Sequence, residues 1–130
     1  MARDPEDVIR EFIDTFVDAW PRKDAAALSR FFSDDAVYYN GPLEPLTGRE
    51  SIVTSIETFM DMYDGDIGVD ILHLVAEGPI VLTERVDHVY QAGGKLSMPI
   101  AGVFEVHDGQ ITAWRDYFDL NQWLEGLSHG

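Results

Sequence analysis

The apolar residues of this chain change period once, between Tyr63 and Ile67, and that change restricts the fold more than any other feature. Before it they recur at helical spacing; after it they alternate. Asp4-Pro5-Glu6-Asp7 reads as a helix start: an N-cap carboxylate, proline at the first helical position, and acids facing the positive end of the dipole. Val8, Ile9, Phe12, Ile13, Phe16, Val17 and Trp20 follow on one side until Pro21 ends the run. Asp24 is placed to cap a shorter helix reaching about Phe32, with Asp34-Asp35 at its solvated end. Thr47-Gly48-Arg49-Glu50 has capping-box spacing and opens a third helix, whose apolar side carries Ile52, Val53, Ile56, Phe59, Met60 and Tyr63. Asp119-Leu120-Asn121-Gln122 predicts a short terminal helix bearing Trp123 and Leu124, placed to close a pocket or to meet a partner subunit. Ser128-His129-Gly130 reads as a loose end.

The alternating half predicts strands near 67–77, 80–90, 95–106 and 110–118, with a short earlier strand at Ala36–Asn40. Glu77-Gly78-Pro79, Gln91-Ala92-Gly93-Gly94 and His107-Asp108-Gly109 are the turns between the later strands. Helices first and a strand meander last is the α+β pattern, with helices packed on one face of a curved sheet. The other face also carries apolar groups, Leu82, Val86, Ala113 and Tyr117 among them, as a subunit interface would. A length of 130 residues, 45% of them hydrophobic, fits one domain over 1–130 with its core at about 5–125.

Charge and composition then exclude whole classes of function. With 24 acids against 9 Lys and Arg the net charge is -15, which repels nucleic-acid backbones and anionic membrane surfaces. The absence of cysteine removes disulfides and thiolate chemistry and suits a reducing cytoplasm. The acidic N-terminus lacks the apolar region of a signal peptide, and no apolar run approaches the roughly 18 residues of a membrane helix. His73, His88, His107 and His129 are scattered without converging spacing, so no metal site is expected. Gly93-Gly94 precedes a strand and is a hairpin turn, not a phosphate loop.

What remains is a set of polar residues on the wrong face. In the last strand Trp114, Asp116 and Phe118 point one way, which sets Asp116 between two large aromatics. In the strand at 80–90, Val81, Thr83, Arg85, Asp87 and Val89 share a face. Tyr38 and Asn40 share one in the early strand. A four-residue loop at 91–94 pairs Tyr90 with Lys95, so Asp87 faces Met98 and Arg85 faces Ile100. A three-residue loop at 107–109 pairs Val106 with Gln110 and brings Asp116 opposite Ile100 as well. Arg85 then leans over Ile100 toward Asp116, roughly 9–10 Å away between backbones. A two-residue Asp108-Gly109 turn would shift this register by one and separate the partners. The product is one guanidinium between Asp87 and Asp116 in an apolar cup. Such a triad either ties strands together or serves as an acid and a base made unequal by the shared Arg.

These residues carry a family resemblance. Tyr38-x-Asn40 with Pro42, then Thr83-Glu84-Arg85-Val86-Asp87, then Thr112-x-Trp114-Arg115-Asp116-Tyr117-Phe118-Asp119, resemble the limonene-1,2-epoxide hydrolase family. The likeness runs from about Val8 to Asn121. It implies the cone-shaped α+β fold of the nuclear transport factor 2-like and SnoaL-like proteins, a mixed sheet with about three to four helices on its concave face, and a homodimer. It also implies cofactor-free opening of a small apolar epoxide by water. In that likeness Tyr38, Asn40 and Asp116 hold the water, Asp116 takes its proton, protonated Asp87 donates to the epoxide oxygen, and Arg85 bridges both acids. The apolar wall would comprise Val17, Trp20, Phe59, Tyr63 and Val69 from the helical side, with Val89, Met98, Ile100 and Phe118 from the sheet. Trp20 and Tyr63 are larger or more polar than the aliphatic residues such a wall implies. Two rival functions suit the same cone: an isomerase or cyclase using Asp116 as base next to a carbonyl, or a non-catalytic module that binds a small molecule.

Overall fold

Helix α1 spans Pro5–Ala19 in the computed structural model, which describes residues 3–63 and 65–129. Its start is the expected one: the Asp4 carboxylate accepts from the Glu6 N–H at 3.1 Å. Val8, Ile9, Phe12 and Ile13 form its buried stripe. A 3₁₀ helix follows at Ala25–Phe31, without the expected side-chain cap from Asp24. The Asp24 carboxylate instead accepts from Arg22 at 3.2 Å.

Strand β1 begins at once, at Phe32, and runs to Asn40, four residues longer on its N-terminal side than the alternation predicts. Asp34 and Asp35 are therefore strand residues and not a helix end, and Asp34 pairs with Arg49 at 2.8 Å. The capping box at Thr47 does not form either. Thr47 belongs to a two-residue strand, β2 (Leu46–Thr47), and Gly48 at φ 98° is the N-cap of α2 (Arg49–Met62) without a side-chain cap. The Gly48 N–H is taken by the Ala36 carbonyl at 2.8 Å, which ties the helix entry to β1.

The second half is the predicted meander, β3 (Ile67–Glu77), β4 (Ile80–Gln91), β5 (Gly94–His107) and β6 (Gln110–Tyr117), closed by α3 (Leu120–His129). The Asp119 carboxylate caps α3 through the Asn121 N–H at 3.0 Å. Ser128 and His129 continue that helix instead of forming a loose end, and Gly130 lies outside the described residues. The sheet order is β2-β1-β6-β5-β4-β3, with β1 parallel to β6 and the other neighbours antiparallel. Helices cover one face, where Phe12 meets Phe31, Phe32, Phe104 and Trp114 edge-on at 5.3–6.1 Å between ring centres. Full burial of one such ring contributes about 1.5–3 kcal/mol. On the uncovered face Leu82 and Tyr117 are exposed, and Leu82 lies opposite exposed Val75.

The β4–β5 register is the expected one, with Tyr90 opposite Lys95, Asp87 opposite Met98 and Arg85 opposite Ile100, but Gln91 also pairs with Gly94, so the turn is the two residues Ala92-Gly93 and not a four-residue loop. The β5–β6 register is not. The turn is the two-residue Asp108-Gly109, which pairs His107 with Gln110, and a bulge between Glu105 and Val106 then adds one residue to β6. The bulge restores the side-chain parity that the shorter turn would have inverted. Asp116 thus remains on the same face as Arg85, but it lies opposite Gly102 and not Ile100.

Candidate active site

Gly102 is the position that lets the charged groups meet. It pairs with Thr83 on one side and Asp116 on the other, so its missing side chain leaves a channel between β4 and β6. A Cβ placed there would collide with the Arg85 Nη1 and lie 2.7 Å from Asp116 Oδ1 and 2.9 Å from Thr83 Oγ1. Arg85 lies across this gap, and each of its N–H groups is engaged. Nε and Nη2 donate to Asp87 Oδ1 and Oδ2, both at 3.0 Å. Nη1 and Nη2 donate to Asp116 Oδ1 and Oδ2 at 3.2 and 3.1 Å. The fifth N–H, on Nη1, goes to Thr83 Oγ1 at 3.2 Å, and that hydroxyl donates to the Gly102 carbonyl at 3.3 Å. Two bidentate forks on one planar group fix both carboxylates in orientation as well as position.

The two acids sit in different surroundings. The Asp116 side chain is 5% exposed and the Asp87 side chain 29%. Asp116 Oδ1 accepts a further hydrogen bond from the Trp114 indole at 2.8 Å. Burial pushes the Asp116 carboxyl above its ordinary range; the charge and hydrogen bonds of Arg85 and the Trp114 N–H oppose that rise without cancelling it. Burial alone would lower the Arg85 pKa, but the charges and hydrogen bonds of Asp116 and Asp87 outweigh it and hold the guanidinium firmly protonated. The Tyr38 hydroxyl is pushed well up, by burial first and by the Asp116 charge second.

β1 delivers the remaining polar groups. Its parallel pairing sets Tyr38 beside Trp114 and Asn40 beside Asp116. The Tyr38 ring stacks on Trp114 with 4.0 Å between centres, and the Gly41 N–H donates to the Asp116 carbonyl at 2.7 Å. Among the described residues, no side chain or backbone group engages the Tyr38 hydroxyl or the Asn40 amide, and both residues line the cavity above the triad.

That cavity measures about 150 Å³. Trp20, Phe59, Tyr63, Val69, Val89, Met98, Ile100 and Phe118 line it, as expected from sequence; Val17 does not. Val17 is half-buried on α1, while Phe12, Ile13 and Phe16 supply that helix's wall. Ile13 and Phe16 mark the helix stripe that faces the cavity, and Val17 falls one position beyond it. Sequence reasoning also missed the structural parts played by Trp114, Thr83 and Gly102. Trp114 lies two residues from Asp116 and Thr83 two from Arg85 on the same strand faces, and a glycine inside a strand signals close approach, so each carried a readable sign. Among the described residues no group of three or more His, Asp or Glu side chains gathers as a metal site. No described helix is long and apolar enough to cross a membrane.

A curved mixed sheet with helices on one side, holding an acid–guanidinium–acid group at the base of an apolar cavity, defines the cone-shaped α+β class. A SnoaL-like protein from Shewanella putrefaciens shares this fold at TM-score 0.75 and 16% identity, over 93% of this chain and 86% of that one. Two comparisons are more specific. Epoxide hydrolase EphG of Mycobacterium tuberculosis is 32% identical over 120 residues, 91% of this chain and 78% of that protein. The structure of an M. tuberculosis LEH-like epoxide hydrolase superposes with TM-score 0.72 at 32% identity, covering 92% of this chain and 89% of that one. Residues 7–129 match the limonene-1,2-epoxide hydrolase catalytic domain, and the chain belongs to that family: it is an epoxide hydrolase of this type. The non-catalytic rival does not survive this membership.

Proposed function

We propose that the protein adds water to a small apolar epoxide, cyclic or terpene-like, in one step that yields a vicinal diol without a covalent ester. The observation that carries this reading is the single guanidinium held bidentately by both acids below an apolar cavity. One positive charge between two carboxylates leaves room for one shared proton, and the neutral group of three is the form that burial favours. In this scheme Asp116, whose carboxylate accepts three N–H hydrogen bonds to the two on Asp87, is the ionised member, and Asp87 carries the proton.

Three of the roughly four lone-pair sites on Asp116 are occupied, two on Oδ1 and one on Oδ2, so the free site on Oδ2 is the base. A buried carboxylate with raised proton affinity is a stronger base than an exposed one. Tyr38 and Asn40 orient the water beside it. As the water oxygen bonds to an epoxide carbon, its proton passes to Asp116 Oδ2. The C–O bond breaks, and the epoxide oxygen takes the Asp87 proton. Push and pull act in the same step, so no alkoxide has to exist free in an apolar site. Arg85 keeps both acids in place throughout, through Asp116 Oδ2 among other atoms, and itself neither gives nor takes a proton. An isomerase or cyclase would need one acid and an oxyanion donor, not an Arg clamped by two acids.

Besides water and the epoxide, the scheme calls on no metal or cofactor. The exposed Leu82 and Tyr117 on the uncovered sheet face support a homodimer, and a chain without cysteine suits the cytoplasm. Asp87→Asn and Asp116→Asn should each lower diol formation on the order of 10²- to 10⁴-fold with an unchanged near-UV circular dichroism spectrum. A wild-type protein that forms no diol from cyclohexene, styrene or limonene oxide would sink the reading.

A further inference from the structure

The cavity is bounded by a continuous belt of aromatic rings that begins and ends beside Asp116. Trp114, bonded to Asp116, meets Phe16 edge-on at 6.5 Å, and Phe16 stacks on Trp20 at 5.8 Å. Trp20 lies 6.3 Å from Tyr63, whose hydroxyl accepts from the Trp123 indole at 3.2 Å. Trp123 returns to Phe118 at 5.5 Å, two residues beyond Asp116. All six line the cavity. They come from α1, the end of α2, α3 and the end of β6, so no single element could widen the belt alone.

Two properties of the belt decide what fits inside it. The first is polarity. Each of the three indole N–H groups is already engaged: Trp114 with Asp116, Trp123 with Tyr63, and Trp20 with the Gly65 carbonyl at 3.1 Å. Apart from the Tyr63 hydroxyl, which accepts from Trp123, what the belt offers a guest is carbon, with the polar groups of the triad, Tyr38 and Asn40 at one end. The second is size. An apolar cavity of about 150 Å³ accepts a guest of benzene size. The rings stay in place because they are cross-braced, as where Trp123 stacks on Phe59 at 5.2 Å. A second ring on the substrate would have to displace Trp123 or Tyr63.

We propose that this belt makes the enzyme selective for compact aryl epoxides with one six-membered ring, and that Trp123 and Tyr63 are the specificity-determining residues that exclude longer substrates. The proposal rests on the epoxide hydrolase reading above and adds the substrate class to it. Flat aryl faces stack on the belt's rings, and a saturated ring of the same size cannot. The oxirane carried by that ring points to the charged end of the cavity, where Asp87 and Asp116 stand.

The test compares kcat/KM of the wild type for three oxiranes. Styrene oxide should exceed its saturated counterpart, cyclohexyloxirane, by about threefold. It should exceed trans-stilbene oxide, which has a second ring, by on the order of tenfold or more. Trp123→Ala should shrink the stilbene discrimination by on the order of tenfold. Tyr63→Leu, which keeps an apolar side chain, should shift it in the same direction and serves if α3 is disturbed by the first change. Equal wild-type rates for styrene and stilbene oxide would overturn the proposal while leaving the hydrolase reading intact. So would a discrimination that neither variant alters. If no epoxide gave a diol, the hydrolase reading would fail and the belt would be judged by binding. Indole fluorescence would then compare 1-phenyl-1,2-ethanediol with two-ringed hydrobenzoin: tighter binding of the first upholds the one-ring cavity, and equal or weaker binding overturns it.

Discussion

Gly102→Ala adds one methyl group at the point where the charged network is tightest. The backbone there is ordinary strand, so the substitution brings no conformational strain of its own, and any effect comes from the space it takes. The new Cβ would lie 2.7 Å from Asp116 Oδ1, about 0.7 Å inside an ordinary van der Waals contact, and closer still to Arg85 Nη1. None of these neighbours is a flexible end. Arg85 and Asp116 are each 4% exposed, and each holds the other in a bidentate fork. Overpacking a site of this kind costs about 1–3 kcal/mol. If the guanidinium is pushed off Asp116, a buried carboxylate loses its partner, at a cost of about 3–5 kcal/mol. The two costs overlap, because the movement that relieves one creates the other. A total loss of about 3–5 kcal/mol is expected, read as a lowered urea midpoint at constant m. Displacing the triad by even ~1 Å should also lower kcat/KM about 100-fold. A variant with the wild-type urea midpoint and wild-type kcat/KM would refute the claim that the missing side chain of Gly102 houses the network.

Other expectations follow from the charges and from the uncovered sheet face. Asp116 must be ionised to act as base, and its pKa lies above the ordinary aspartate value of 3.8, so kcat/KM should fall as the pH drops through that raised value. An acidic limb at or below pH 3.8 would contradict the role assigned to burial. The same raised pKa gives the folded state more bound proton than the unfolded state above pH 3.8, so this group's contribution to stability is lost as pH rises through that window. Asp116→Asn should flatten that slope in pH-dependent urea titrations. On the uncovered face, Leu82→Lys should convert a dimer to a monomer in sedimentation velocity without altering the far-UV spectrum; a wild-type monomer would remove the interface assigned there.

The sequence carried the site better than it carried the turns. Arg85 and Asp87 share a face through alternation alone, and the β4–β5 register came out as expected although the turn is two residues shorter than the four-residue loop from which it was read, an even change that leaves the pairing in step. The β5–β6 register did not follow. Two departures, a shorter turn and a bulge, cancel in parity, and the bulge has no signature in the residues around it. Asp116 therefore reached the expected face through an unexpected partner, Gly102, a strand glycine whose role the alternation did not mark. Capping positions misled for a related reason. Thr47 and Asp24 have the right chemistry and spacing, but Thr47 is drawn into pairing with Val37 and the Asp24 carboxylate turns to Arg22. A strand pairing at Thr47 and a local ion pair at Asp24 outweigh a cap worth about 1 kcal/mol. The two-residue strand β2 is too short to leave any period at all.

The central claim is that water attacks the epoxide directly, with Asp116 as base and no ester formed on either acid. A single turnover in H₂¹⁸O with enzyme in excess over epoxide tests it, with the diol and the intact protein both weighed by mass spectrometry. Direct attack puts one ¹⁸O in the first diol formed and none in the protein. A first-turnover diol carrying ¹⁶O from the enzyme, with ¹⁸O appearing in the peptide that contains Asp87 or Asp116, would mean a covalent ester and would contradict the account.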